Sequence, residues 1–153
     1  FKESSKKIGF KLQILRFYSI YGEGLRKQLI WDACNKILLK KNYFYGSGEE
    51  IRSWTHINDV CKFIDTIISK PLKKNCIVDV SSNDVLKNKI ILKKLFKLFN
   101  YNFSPHFNKI QKKGDPLNQI YVKKYIQNIN WSPSVGIDEG LKKYFLWFKK
   151  QKK

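Results

Sequence analysis

The chain reads LQILRFYSI from Leu12 to Ile20. This stretch is apolar nearly throughout, which is typical of a strand that is buried on both faces of a parallel sheet. Tyr21–Gly24 then breaks the strand, and Gln28–Lys40 places its apolar residues at helical spacing. A buried strand that is followed by a glycine turn and a helix is typical of α/β proteins, and we therefore predict that class.

The same alternation continues along the chain. Short apolar or β-branched runs predict further strands at Tyr43–Tyr45, Arg52–Ile57 and Cys76–Val80. Three more helices are predicted from apolar stripes that consist of Val60, Ile64, Ile67 and Ile68, of Ile91, Leu92, Leu95, Phe96 and Phe99, and of Ile137, Leu141, Tyr144, Phe145 and Phe148. We expect Asp59 to cap the first of these helices, because a carboxylate accepts from free helix N–H groups.

The composition indicates a folded protein without a membrane span. Apolar residues make up 42% of the 153, and no apolar stretch approaches the roughly 18 residues of a spanning helix. The cysteines Cys34, Cys61 and Cys76 make a poor disulfide framework and fall on predicted core positions, and no signal peptide is evident. We therefore predict a cytoplasmic protein. Because the chain begins with Phe1 and contains no Met, we expect a fragment.

The charge is strongly positive, with 31 Lys+Arg against 12 Asp+Glu and a formal net charge of +19. Only Arg16, Arg26 and Arg52 are arginine, and the lysines are scattered as pairs. Such a surplus attracts anions nonspecifically, so we predict no specific nucleic-acid partner. Where lysine is the default cation, each arginine is a candidate for bidentate contact with a phosphate or a carboxylate.

Three separated segments carry a family resemblance. Ile14–Gly24 resembles the pattern LR-x-x-N-x-YGPG, and Phe44–Val60 is similar to YGDGEQxRDFxHVxDV. Gly114–Leu141 matches GD…LGWxP…xEGL. In this order they resemble the C-terminal half of the extended short-chain dehydrogenase/reductases, the NAD-dependent sugar-nucleotide epimerase/dehydratase family.

The resemblance implies a division of the chain. Residues 1–20 would form the end of the NAD-binding Rossmann part, and residues 21–153 mainly a small nucleotide-sugar-binding region. Strands near 51–57 and 76–80 would return to the Rossmann sheet. The family's catalytic Tyr-x-x-x-Lys pair and glycine-rich NAD loop do not occur in this sequence, so whether the chain acts as an enzyme stays open, and we expect the N-terminal half to be missing.

Arg52 is the first candidate for a binding residue. It lies on a predicted strand after a glycine turn, where its guanidinium can fork onto two phosphate oxygens. An ion pair with Glu49 or Glu50 is the structural alternative. The resemblance implies that Arg52 clamps the diphosphate of a nucleotide sugar.

The resemblance also implies roles for four other residues. Asp115 would accept the ribose hydroxyls, although Gly-Asp-Pro is also an ordinary turn. Lys112 would add a positive charge near the phosphates, and Ser19 stands where many members carry a phosphate-contacting asparagine. Tyr18 is the candidate cofactor contact, with core packing as the alternative.

We interpret the remaining polar candidates as structural residues. Arg16 lies inside an apolar strand and must be paired, either in a buried salt bridge or near the cofactor. His56 and His106 have no Cys, Asp or Glu at metal-ligand spacing, so we predict packed histidines and no metal site.

The resemblance implies a fragment of an NAD(P)-dependent nucleotide-sugar 4-epimerase that binds the nucleotide diphosphate and is a homodimer at full length, with no membrane partner. The alternatives are a 4,6-dehydratase or a reductase of the same family. A catalytically dead module that binds nucleotide sugars or polyanions is the alternative from another class.

Overall fold

The structure is a computed structural model that describes residues 2–72, 74–110, 114–120, 129 and 131–152. Within these ranges the elements are α1 (Lys2–Ile8), β1 (Gln13–Phe17), β2 (Ser19–Tyr21), α2 (Gln28–Leu38), β3 (Tyr43–Phe44), β4 (Ile51–His56), α3 (Ile57–Ser69), β5 (Cys76–Val80), β6 (Val85–Lys87), α4 (Asn88–Leu98), β7 (His106–Phe107), β8 (Asn118–Gln119) and α5 (Ile137–Gln151). None of these helices is long and apolar enough to cross a bilayer. The α/β class is confirmed.

The first sheet consists of β1 and β5, which pair in parallel with Gln13 opposite Cys76 and Phe17 opposite Val80. One buried cluster joins Val78 and Val80 of β5 to Phe63 of α3, so the helix covers this sheet. This helix connects β4 to β5 and thereby returns the chain to the first sheet.

The second sheet is organised by β4. It pairs in parallel with β2 and β8 and antiparallel with β6. The single strand predicted over Leu12–Ile20 is thus two strands, because the chain leaves β5 and joins β4 at Tyr18. The two strands expected to return to one Rossmann sheet, β4 and β5, lie in different sheets of the described residues, and the division at residue 20 stays a prediction.

The main core lies between the second sheet and three helices. Its fully buried side chains come from all three, and they include Ala33 and Cys34 of α2, Leu92 and Leu95 of α4, and Leu141, Tyr144 and Phe148 of α5. These residues lie on the faces that the helical spacing predicts. Burial raises the pKa of the Cys34 thiol to about 12, which leaves it protonated and unreactive. Cys61 is exposed, so its predicted core position is wrong.

The buried stripe of α3 differs from the prediction. Ile64 is 37% exposed and Ile68 is 71% exposed, whereas Phe63 is fully buried. The core face is formed by Val60, Phe63 and Ile67, which follow the i, i+3, i+7 pattern. Because apolar residues lie on more than one side of this helix, spacing alone does not identify the side that meets β5.

Asp59 does not cap α3. The Nδ1 atom of His56 accepts a hydrogen bond from the Asn58 N–H instead, at 3.3 Å. The fully buried Asp59 carboxylate accepts from the Ser134 N–H at 3.0 Å, the Ser134 hydroxyl at 2.9 Å and the Val135 N–H at 3.0 Å. Asp59 therefore fixes the segment that leads into α5.

Gly140 provides a test of how α5 packs on β2 and β4. A Cβ at Gly140 would collide with the Tyr21 hydroxyl and approach His56, both of which are buried. We expect Gly140→Ala to lower the free energy of unfolding by about 1–3 kcal/mol, because overpacking outweighs the gain in helix propensity. Chemical denaturation measures the change. Gly136→Ala, where a Cβ meets nothing within 4 Å, is the matched control. Equal stability of the two variants would contradict this packing.

His56 predicts a pH dependence of stability. Its imidazole is fully buried, and desolvation lowers its pKa, with Lys143 acting in the same direction and Glu23 and Asp59 opposing it. An unfolded histidine has a pKa near 6.5, so unfolding takes up a proton as the pH falls below that value. We expect the free energy of unfolding to fall between pH 7 and pH 5.5, by at most about 1.4 kcal/mol per pH unit. His56→Asn keeps a capping oxygen without this titration and should flatten the slope. Identical slopes for the two proteins would refute the assignment to His56.

Candidate binding cleft

A cleft of about 710 Å³ opens beside β2 and β4. Its walls come from both strands, α2, the loop after β3, the start of α4 and the segment that contains β8. The lining residues are Ser19, Ile20, Leu25, Gln28, Leu29, Asp32, Phe44, Tyr45, Gly46, Glu50, Arg52, Trp54, Asn88, Asp115 and Gln119. The fold thus brings together Ser19, Arg52 and Asp115, three of the residues that the sequence indicates. Lys112 lies outside the described residues.

Arg52 is half-buried on β4 and is held by carbonyl groups. Its Nη1 atom donates to the Ile51 carbonyl at 2.9 Å and to the Leu117 carbonyl at 3.2 Å. The ion pair with Glu49 or Glu50 is not formed. Glu49 instead accepts from Lys87 at 2.7 Å and from Lys89. No carboxylate of the described residues forms a salt bridge with Arg52 across the cleft, so its charge remains there for an anionic ligand.

Glu50 builds the loop that forms one rim of the cleft. Its buried carboxylate accepts from the Ser47 N–H at 2.8 Å and from the Ser47 hydroxyl at 3.0 Å. Burial opposes ionisation of Glu50, but these hydrogen bonds outweigh burial and lower its pKa. Gly46 has a φ of +89°, and a Cβ there would meet the Glu50 carboxylate at 2.6 Å. Only glycine therefore permits this turn without strain.

The same loop docks on the N-terminus of α4. The Lys89 N–H donates to the Gly48 carbonyl at 3.0 Å, and the Asn88 N–H donates to the Glu50 carbonyl at 2.9 Å. These are N–H groups of the first turn, which have no partner within the helix itself. The rim and α4 consequently form one hydrogen-bonded unit.

Asp115 lies in a stretch that we call the Asp115 segment (residues 114–120). The segment follows the edge of β4, with Asn118 opposite Ile51 and Gln119 opposite Arg52. The Ile51 N–H donates to the Leu117 carbonyl at 2.9 Å. Asp115 is exposed and lines the cleft together with Gln119.

Ser19 and Tyr18 lie where the chain passes between the two sheets. Ser19 is opposite Trp54 in the β2–β4 ladder and lines the cleft. Tyr18 is half-buried and does not line the cleft; burial and then the Asp79 carboxylate raise its pKa. Its role as a cofactor contact stays a prediction.

Arg16 forms a salt bridge, one of the two alternatives expected for a charge in an apolar strand, but the bridge is only partly buried because the Arg16 side chain is 55% exposed. Its Nε and Nη2 atoms donate to the two carboxylate oxygens of Asp79, at 2.6 and 2.7 Å. The two residues face each other in the β1–β5 register, and Asp79 is buried. This bidentate pair holds the two parallel strands together near the end of the sheet that leads to Tyr18.

Sequence reasoning missed several residues of the cleft. Trp54 is two residues from Arg52 on the same strand, and the period of a strand places both on one face. Gln28 and Asp32 are one helical turn apart on α2, so their spacing in the sequence already places them on one face of the helix. Asn88 gave no signal, because its place depends on how the rim loop docks on α4.

Comparison with known proteins identifies related sequences. The model of the NAD dependent epimerase/dehydratase family matches residues 2–80. An uncharacterised protein of Methanocaldococcus jannaschii is 29% identical over 147 residues, which are 94% of this chain and 44% of that protein. The UDP-glucuronate 4-epimerase of Thermodesulfobacterium geofontis is 27% identical over 145 residues, 92% of this chain and 44% of that protein. The chain thus spans less than half the length of these relatives.

The solved structures include a close match of the fold. The crystal structure of UDP-glucose 4-epimerase with UDP-glucose from Thermotoga maritima superposes with a TM-score of 0.85 at 21% identity. The match covers 99% of this chain and 50% of that protein. At this identity the likeness establishes the fold.

Proposed function

The chain belongs to the NAD-dependent epimerase/dehydratase family, and we propose that it supplies the nucleotide-sugar-binding part of a 4-epimerase. The observation that carries the proposal is the meeting of Ser19, Arg52 and Asp115 in one cleft, although they are far apart in the sequence. The relative named as a UDP-glucuronate 4-epimerase supports the reaction type and a uridine diphosphate sugar as the ligand.

Arg52 binds the diphosphate in this proposal. Both hydrogens of Nη1 are used by carbonyl groups, and the forked edge formed by Nε and Nη2 makes no hydrogen bond to the described residues. That edge has the geometry for two parallel bonds to phosphate oxygens. Ser19 adds a hydroxyl donor from the adjoining strand, and Lys112 adds a second positive charge.

Asp115 accepts the ribose hydroxyls. A carboxylate has enough lone pairs to accept from both hydroxyls of a vicinal diol. Asp115 and the cation of Arg52 both line the cleft. The ligand that suits this arrangement carries its anionic group near β4 and its hydroxyl donors near the Asp115 segment.

NAD(P) is the cofactor that the family membership supports, and it would supply reversible hydride transfer when bound. Tyr18 follows the carboxyl end of β1, and ligands of α/β proteins bind at the carboxyl ends of parallel strands. We therefore retain Tyr18 as the contact of this chain with the cofactor. A homodimer, a cytoplasmic location and a boundary near residue 20 belong to the same proposal.

Replacement of Arg52 tests the proposed binding mode. We expect Arg52→Lys to weaken the binding of UDP-glucuronate by about 1.5–3 kcal/mol, because a lysine cannot form the two parallel bonds. Isothermal titration calorimetry measures the change. Arg26→Lys is the matched control, because Arg26 is exposed and its Nη2 atom bonds to Gln151 away from the cleft. Loss of NAD binding with intact UDP-glucuronate binding would show that Arg52 serves the cofactor instead.

A further inference from the structure

Backbone pairing and one side-chain hydrogen bond connect the Asp115 segment to β4. Residues 114–119 are all exposed, and no residue of the segment belongs to either buried cluster. Its contacts with β4 include the ladder, the bond from the Ile51 N–H to the Leu117 carbonyl, and the bond from Arg52 to the same carbonyl. A side chain that adds one charged hydrogen bond is therefore a large part of what holds the segment in place.

The two sides of the Arg52 guanidinium have different roles, one in holding the Asp115 segment and one in binding a ligand. Its Nη1 end joins its own strand, through the Ile51 carbonyl, to the Asp115 segment, through the Leu117 carbonyl. The Nε and Nη2 edge lies on the other side of the planar group, where it can fork onto an oxyanion without releasing either carbonyl. One guanidinium can thus bind a ligand and hold the segment at the same time.

We propose that Arg52 is the positioning residue for Asp115: it holds residues 114–120 on β4, so that binding of the diphosphate and binding of the ribose are coupled through one side chain. The choice of ligand groups rests on the proposed function, whereas the attachment of the segment rests on the structure alone. A phosphate on the Nε and Nη2 edge immobilises the guanidinium, and the immobilised guanidinium stabilises the docked segment. Recognition of the two ends of the ligand is then cooperative.

Methionine is the informative replacement for the attachment. A lysine ammonium group has three hydrogens and can still donate to the Leu117 carbonyl when no phosphate is bound, whereas the methionine side chain has no donor. Arg52→Met therefore removes the bond from Arg52 to the Asp115 segment. Arg26→Met makes the same chemical change at an exposed arginine and serves as the control.

Hydrogen exchange of the ligand-free protein tests the attachment directly. We expect the peptide that covers residues 114–120 to exchange about three- to tenfold faster in Arg52→Met than in the parent protein, the factor that corresponds to one lost hydrogen bond. Peptides from α3 and β5 should be unchanged and thereby show that the variant is folded. Equal exchange of the segment in the parent, Arg52→Met and Arg26→Met, or a segment without protection in the parent, overturns the proposal.

Uridine tests the coupling, because it has ribose hydroxyls and no phosphate. A phosphate-binding role alone predicts that Arg52→Met weakens binding of UDP and leaves binding of uridine unchanged. The proposal predicts that uridine binding, followed by ligand-observed NMR, falls about three- to tenfold in Arg52→Met. Asp115→Asn should weaken uridine binding less in the Arg52→Met background than in the parent protein, because the segment is already partly released. If neither UDP nor uridine binds the parent protein, the proposed function fails, and the exchange experiment still decides the attachment.

Discussion

The pairing of β4 with three other strands is the interaction on which the cleft depends. Residues 54–56 pair with β2, residues 51–53 with β6, and residues 51–52 with β8. Alternate side chains of β4 point to opposite faces, so Arg52 and Trp54 reach the cleft while Ser53 and Thr55 are fully buried. A shift of one residue in this register would reverse both sets. The position of the guanidinium is therefore determined by backbone pairing.

The two sheets are joined by a buried polar network at the turn after β5. The Thr55 and Ser81 hydroxyls lie 3.1 Å apart, and the Ser82 N–H donates to the Thr55 hydroxyl at 3.0 Å. The Ser82 hydroxyl also bonds to the Trp54 carbonyl. Buried hydroxyls need such partners, and here Thr55 and Trp54 of β4 supply them, together with the Asp84 N–H, which donates to the Ser82 hydroxyl at 3.0 Å. Ser81 and Ser82 thus form fixed contacts between the two sheets.

The sequence predicted the elements better than it predicted their contacts. Long helices and strands with regular apolar spacing, such as α2, α5 and β5, were found because burial acts on every turn or pleat. The break at Tyr18 was missed, since an apolar run does not reveal which strand is its neighbour. Strands β6, β7 and β8 are too short to show a period. For the cleft, the motifs indicated Arg52 and Asp115, but the Leu117 carbonyl that links them is a backbone group and has no signature in a sequence.

The charges that line the cleft indicate that selection of a ligand depends on hydrogen-bond geometry more than on the net charge of the protein. The protein carries +19 overall, yet the residues that line the cleft include three carboxylates, those of Asp32, Glu50 and Asp115, and one cation, Arg52. Lysines on the outer surface attract an anion at long range, and salt screens that attraction within about 10 Å. Selection of a ligand must then come from directed hydrogen bonds.

All three arginines make contacts that use the planar guanidinium group. Arg16 donates two hydrogen bonds to Asp79, and Arg26 lies 5.9 Å from the centre of the Trp147 ring. Arg52 donates to two carbonyls and keeps its other edge for the cleft. In a chain whose default cation is lysine, arginine occurs where a point charge would lack the required geometry.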